Sequence, residues 1–195
     1  MTRKGTLMVV SGPAGVGKGT IVKLACEKAA GQIHLSVSAT TRKPRPIDRE
    51  GETYYFKTKE EFLRMVEENE ILEWAEYVGN YYGTPRKPVE DALQKGLDVI
   101  LEIEVQGAMQ IKKNFPEAVL TFVAPPSTEE LESRLRGRGT ETEEQIQSRL
   151  ETAKGELSRM NEYDYIVVND KIEQASEDLI TILRAQKLQQ EAYFQ

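Results

Sequence analysis

Nine residues near the amino terminus, Gly12-Pro13-Ala14-Gly15-Val16-Gly17-Lys18-Gly19-Thr20, constrain this chain more than any other stretch. They follow an apolar run, Thr6 to Val10, that reads as a buried strand. They precede Ile21 to Ala30, whose apolar spacing is helical. A Gly-x-x-x-x-Gly-Lys spacing between a strand and a helix is that of a phosphate-binding loop, or P-loop. Its glycines let successive backbone N–H groups point into one concavity, and the helix N-terminus adds its positive end. Lys18 is placed to reach the β- and γ-phosphates of a nucleotide. A glycine-rich turn without a ligand is the plainer alternative, and the lysine argues against it.

One position departs from the common motif. Ser or Thr usually follows the lysine, because its hydroxyl ligates Mg²⁺. Here Gly19 stands there, with Thr20 next. A metal is then expected to be held by phosphate oxygens, by water, or by Thr20 in an altered role. Adenylate kinases have a similar Gly-Lys-Gly-Thr run, so the departure points towards nucleoside monophosphate kinases.

Three more apolar, β-branched runs, Asp98–Glu104, Val119–Ala124 and Tyr165–Val168, are each followed by a helical pattern. Strands alternating with helices imply crossovers and a mostly parallel sheet. The length of 195 residues suits one domain. A net charge of −6 argues against a nucleic-acid coat or a membrane-surface binder. The single cysteine, Cys26, excludes an internal disulfide. The single histidine, His34, removes His-based metal clusters. Both are expected to be packing residues. No run reaches the ~18 apolar residues of a membrane span, and the first apolar stretch is too short for a signal-peptide core. A cytoplasmic protein is expected.

Residues 34–84 read differently. Short alternating segments such as Ser36–Ala39, Tyr54–Phe56, Leu72–Val78 and Tyr81–Gly83 surround one helix near Lys59–Glu68. Gly79-Asn80 reads as a hairpin turn. This predicts a small β-rich lobe inserted into the α/β core. A second insertion, 127–160, is helical and highly charged, with a mobile turn expected at Arg136-Gly137-Arg138-Gly139-Thr140. The core is then 1–33, 85–126 and 161–195.

Positive charge is concentrated at Arg42, Lys43, Arg45 and Arg49, in a loop stiffened by Pro44 and Pro46. Guanidinium forks suit phosphate oxygens, so a second phosphate site is the natural use, against the plainer reading of a solvated loop. Glu102 and Glu104, two apart at the end of an apolar run, are predicted to face the same way, at the sheet edge where ligands bind in open α/β folds. Acid after an apolar strand is also the pattern that assists Mg²⁺.

In order along the chain stand the P-loop, Ser36-Val-Ser-Ala-Thr-Thr-Arg-Lys-Pro-Arg45, Gly51-Glu-Thr-Tyr-Tyr-Phe56, Leu72-Glu-Trp-Ala-Glu76, Gly79-Asn-Tyr-Tyr-Gly-Thr84, Gln106-Gly107, Ala124-Pro-Pro-Ser127, Arg134-Leu-Arg-Gly-Arg-Gly139 and Val168-Asn-Asp170. With these, the chain resembles the guanylate kinases along nearly its whole length.

The resemblance implies a P-loop NTPase core, a GMP-binding lobe at 34–84 and a lid at 127–160. It implies ATP-dependent conversion of GMP, and of dGMP, to GDP or dGDP, with Mg²⁺. It implies that Arg42, Arg45, Tyr54 and Tyr82 hold the GMP phosphate, and that Ser38, Glu73, Thr84 and Glu104 hold the guanine. ATP would lie on residues 12–20, with Arg134, and with Asn169 at the adenine. Lys18, Arg45, Arg138 and Arg149 would act on the transferring phosphate. Thr20 and Glu102 would assist the metal. The family often carries aspartate where Glu102 and Glu104 stand.

Physics supports Glu73. Guanine offers two adjacent donors, N1–H and the exocyclic amine, and a carboxylate accepts both. Adenine would leave it unpaired. On charge pattern alone Glu73 is one more acid among Glu67, Glu68, Glu70 and Glu76. The expected partners are ATP and GMP, with no nucleic acid, membrane or obligate protein. Two rivals are a non-catalytic phosphopeptide-binding module, opposed by Lys18, and a kinase of a ribose bisphosphate, opposed by Ser38, Glu73 and Thr84.

Overall fold

The computed structural model describes residues 4–137 and 142–189. The chain enters through β1 (Leu7–Ser11) and α1 (Lys18–Lys28) and returns to the same sheet as β2 (Ile33–Leu35). It then builds a second sheet from β3 (Ala39–Thr40), β4 (Tyr55–Phe56), β5 (Ile71–Tyr77) and β6 (Asn80–Pro85), with α2 (Lys59–Glu67) between β4 and β5. The first sheet resumes with α3 (Arg86–Gln94), β7 (Asp98–Glu102), α4 (Val105–Asn114) and β8 (Val119–Ala124). Two helices follow, α5 (Thr128–Arg136) and α6 (Glu143–Leu157). The described chain ends with β9 (Tyr165–Val168) and α7 (Ile172–Gln186).

The first sheet is parallel throughout, in the order β2-β7-β1-β8-β9. Its middle strands are apolar along their length because both faces are covered. Met8 and Val10 of β1 pack with α1 and α7, through Ile21, Val22, Leu179 and Leu183. The alternate residues Leu7 and Val9 pack with α3 and α4, through Val89, Leu93, Ala108 and Ile111. Such a sheet presents its ligand edge at the carboxyl ends of β1 and β7, where the P-loop and Glu102 emerge. No helix among the described residues is long and apolar enough to cross a membrane.

The second sheet runs β4-β3-β6-β5 over a small core centred on Phe62, with Ala39, Ile71 and the rings of Trp74 and Tyr81. α2 starts with a capping box in which Thr58 Oγ1 accepts from the N–H of Glu61, whose carboxylate accepts from the N–H of Thr58. In β5, Ile71 pairs with Pro85 and Trp74 with Gly83, so Leu72 and Glu73 together oppose Thr84 alone. This is a β-bulge, a device that re-aims side chains.

Several local expectations shift. The hairpin turn is Val78-Gly79, not Gly79-Asn80. Tyr77 pairs with Asn80, and the two loop residues have φ of 48° and 71°. A two-residue turn of this hand needs positive φ at both positions, and the chain accepts a β-branched valine at one of them. The strand expected at 98–104 stops at Glu102, and Glu104 is the N-cap residue of α4. Ser36–Ala39 is not one strand. β2 ends at Leu35 inside the core sheet and β3 begins at Ala39, so the crossing to the second sheet lies at 36–38 rather than at 34. Arg136 joins α5 to α6 through ion pairs with Glu132 (2.7 Å) and Glu143 (2.5 Å). Gly137 caps α5, and residues 138–141, with Arg138, lie outside the described residues.

Candidate active site

Between the two sheets lies a cleft of about 620 Å³, whose lining includes Lys18, Ser38, Tyr54, Glu73, Tyr82, Glu102, Glu104 and Gly107. The fold therefore gathers residues from the P-loop, from the second sheet and from the end of β7. Thr84 is buried and hydrogen-bonded to Glu73 of the lining; Arg42 reaches the cleft through the Tyr54 ring, and neither Arg42 nor Arg45 lines it.

On the P-loop side, Gly17 takes a left-handed φ of 93° at the start of α1, so the turn into the helix stays tight. Lys18 Nζ donates to the carbonyl oxygens of Gly12 (2.5 Å) and Pro13 (3.2 Å), which fold the ammonium over its own loop. Thr20 is exposed in the first turn of α1. Behind the loop, buried Asn169 donates from Nδ2 to the Val16 carbonyl (2.7 Å), while its Oδ1 has no partner. Arg134 Nη1 donates to the Asn169 carbonyl (3.0 Å), and its Nε pairs with Glu130 (2.9 Å). Arg134 and Asn169 thus meet on the same side of the P-loop. Arg149 is partly buried on α6.

On the opposite side, Glu73 is only 6% exposed. Thr84 Oγ1 donates to its Oε1 at 2.7 Å, and its Oε2 lies against Gly107 of α4. Burial pushes the Glu73 carboxyl up to about 7, against the opposing pull of the Thr84 hydrogen bonds. The Arg42 guanidinium sits 5.3 Å from the Tyr54 ring centroid and 5.9 Å from that of Phe56, and Tyr54 and Tyr82 are 6.0 Å apart. Arg42 also pairs with Asp48 at 2.9 Å, and Asp48 accepts from the Arg45 N–H at 2.7 Å. Those bonds, the Arg45 backbone one foremost, hold the Asp48 carboxyl below its ordinary range. Arg45 itself is exposed.

At the end of β7, burial raises the Glu102 carboxyl, Lys18 opposes that rise and Glu104 adds to it. Helix α6 supplies a residue that sequence patterns do not single out. Glu156 of α6 comes against Glu104, and burial, followed by that neighbour, pushes its carboxyl up to about 7. Lys18 opposes that rise. No local spacing announces this contact. Asp48 has a weak signal, being an acid three residues after Arg45 in a proline-stiffened loop.

A family model described as guanylate kinase matches residues 4–186. The chain is 55% identical over 183 residues to a guanylate kinase of Desulfitobacterium hafniense, covering 94% of this chain and 91% of that protein. It is 52% identical over 188 residues to a guanylate kinase of Halalkalibacterium halodurans, covering 96% and 92%. The chain belongs to the guanylate kinase family. A crystal structure of guanylate kinase from Anaplasma phagocytophilum superposes with a TM-score of 0.78 at 37% identity, covering 96% of this chain and 89% of that one. Guanylate kinase membership also accounts for the two facing halves of the cleft, since a phosphotransferase must hold two substrates end to end.

The donor set tests whether a divalent metal fits this guanylate kinase site. A Cβ at Gly19 would lie 3.4 Å from Glu102 Oε1, so Glu102 stands beside the position where a P-loop hydroxyl usually serves. No cluster of three Asp, Glu, His or Cys that could hold a metal exists among the described residues. The Glu102 carboxylate suits a hard cation that takes its remaining oxygens from phosphates and water, while Thr20 is exposed and does not line the cleft.

Proposed function

We propose the following division of labour for the ATP-dependent phosphorylation of GMP to GDP. A GMP phosphate oxygen attacks the γ-phosphorus of ATP in line. The new O–P bond forms as the bond to the β–γ bridging oxygen breaks, and ADP leaves with that electron pair. No side chain need act as nucleophile, so the protein contributes positioning and charge neutralisation.

The P-loop, residues 12–20, cradles the ATP phosphates, and Lys18 moves from its own loop carbonyls onto them. The unpartnered Oδ1 of Asn169 accepts from the adenine amine, with Arg134 bracing that side. Arg42, Arg45, Tyr54 and Tyr82 grip the GMP phosphate, and Asp48 orients Arg42. Ser38, Thr84, Glu73 and Glu104 surround the guanine. Arg149, with Arg138, neutralises the transferring group from the lid. Glu102 would hold Mg²⁺, whose chemistry is to offset negative charge on the β- and γ-phosphates. The enzyme acts in the cytoplasm on freely soluble nucleotides, dGMP included, without nucleic acid, membrane or an obligate protein partner.

The single observation that carries this reading is the buried Glu73 carboxylate, fixed by Thr84 and facing the same cleft as Lys18. The test is an acceptor panel with ATP: GMP, dGMP, AMP, IMP and a ribose bisphosphate. GMP is expected to have the highest kcat/KM. A higher value for AMP or for the sugar phosphate would overturn the assignment of the acceptor site.

A further inference from the structure

β5 is the outer strand of the second sheet, and an outer strand leaves main-chain groups without a strand partner. At Trp74, the residue immediately after the bulge, both of these groups are taken by one side chain. The Trp74 N–H donates to Gln110 Oε1 at 3.1 Å, and Gln110 Nε2 donates to the Trp74 carbonyl at 2.8 Å. The amide of Gln110 thus imitates a neighbouring strand for one residue. Gln110 belongs to core helix α4, and it does not line the cleft.

Gly107 lies one helical turn earlier on α4 and therefore on the same face. It abuts Glu73 Oε2, while Gln110 grips the next residue of the strand. The bulge is held from the other side as well. A Cβ at Gly83 would lie 2.7 Å from the Glu73 carbonyl oxygen and 2.9 Å from Trp74 Cβ. The register of β5 is thus fixed on both flanks at the point where it aims the carboxylate. A bulge that slid by one residue would exchange Leu72 and Glu73 between the two faces of the strand.

We propose that Gln110 is a specificity-determining positioning residue, which pins the β5 bulge to α4 so that Glu73 presents both carboxylate oxygens to the base. This rests on the reading of Glu73 as the guanine acceptor. Gln110 acts through the strand and makes no contact with the nucleotide. Without its amide, the Trp74 groups can take water at the sheet edge. The fold then survives while the aim of Glu73 is lost.

The discriminating substrate pair is GMP and IMP, because hypoxanthine keeps N1–H but lacks the exocyclic amine. The variant Gln110→Met retains length and helical fitness and removes both polar groups. Its GMP/IMP ratio of kcat/KM should fall about 10-fold, the scale of one lost buried hydrogen bond, with KM for ATP within about twofold of wild type. The amide of Trp74 should exchange faster with solvent. Gln110→Glu keeps the acceptor and loses the donor, so its ratio should fall between the two.

A merely structural role would lower GMP and IMP use alike and leave the ratio untouched. An unchanged ratio in Gln110→Met, with Trp74 exchanging freely, overturns the proposal. If melting shows that Gln110→Met is unfolded, Gln110→Glu decides: an intermediate ratio supports the proposal and a wild-type ratio overturns it. Glu73→Gln run alongside separates the two levels. If it leaves the ratio unchanged, the reading of Glu73 fails. If it changes the ratio and Gln110→Met does not, only the role of Gln110 fails.

Discussion

Oε2 of Glu73 occupies the space in which a side chain on Gly107 would begin: a Cβ there would overlap that oxygen and lie 3.1 Å from the carboxyl carbon. Glycine inside a helix costs about 1 kcal/mol relative to alanine, and α4 carries it where the carboxylate needs room. Gly107→Ala should therefore displace Glu73. The expected result is a fall of about 10-fold or more in kcat/KM for GMP, with KM for ATP unchanged and only a small shift in Tm, since propensity and overlap oppose each other. Steady-state kinetics with each substrate varied in turn checks this. Normal GMP efficiency would mean that the carboxylate is not confined by α4.

Glu73 also sets a pH dependence. Its carboxyl, at about 7, lies above the ordinary value of 4.5, so the folded protein holds this proton more tightly than the unfolded chain does. The stability from that proton is fully present below pH 4.5 and is lost as pH rises through about 7. Above that pH, the ionised group costs on the order of 3 kcal/mol relative to an unperturbed carboxylate. Glu73→Gln should accordingly melt higher than wild type at pH 8 and similarly below pH 4.5. It should lose GMP efficiency by about 10–100-fold, since an amide donor then faces a guanine donor. In wild type, kcat/KM for GMP should rise through pH 7 as Glu73 ionises, and this limb should flatten in the variant. Melting curves and pH–rate profiles read the two effects separately.

The two arginines of the acceptor side should behave differently from each other. Arg45 is exposed, and only its backbone N–H is engaged by Asp48, whereas Arg42 pairs with Asp48 through its side chain and packs over Tyr54. Arg45→Ala should weaken GMP binding with Tm unchanged. Arg42→Ala should weaken GMP binding and also loosen the loop. In both, calorimetry should show ATP affinity nearly intact, because the charge-assisted bonds removed serve the other substrate. Equal losses for ATP and GMP would mean that the two phosphate sites are misassigned.

Lys18→Ala should leave the protein folded with only a modest change in Tm, since the side chain's hydrogen bonds go to carbonyls of its own loop and its charge also faces the nearby Glu102 carboxyl. Turnover should fall about 10³-fold or more, because a fixed cation is lost where charge develops. Product formation measured beside melting checks both halves, and near-normal turnover in a folded variant would refute the role.

The parts legible in the sequence are those whose chemistry is contiguous. The P-loop is spelled out in nine adjacent residues, and β8 announces itself as an unbroken apolar run because both faces of the sheet are covered there, whereas β9, the outer strand, reads as apolar although Ile166 and Val168 stay exposed. Glu73 is different. Among Glu67, Glu68, Glu70 and Glu76 nothing local distinguishes it, and only a bulge formed against Thr84 and buried under α4 makes it special. The Val78-Gly79 turn escapes because a valine at positive φ runs against propensity, and strand register overrides it. The meeting of Glu156 with Glu104, and the grip of Gln110 on Trp74, join segments far apart in the chain, so no spacing rule reaches them.

The fastening of β5 to α4 has a mechanical consequence. The strand that carries Glu73 is the fixed edge of its sheet, while the segments leading to Arg42 and Tyr54 flank strands two and three places away. A rotation of that sheet about its fastened edge would work as a lever. The carboxylate at the fulcrum would barely move, and the phosphate grip would travel the long arc. On the proposed reading of Glu73, a nucleobase would be inspected at the pivot while the far arm carried its phosphate.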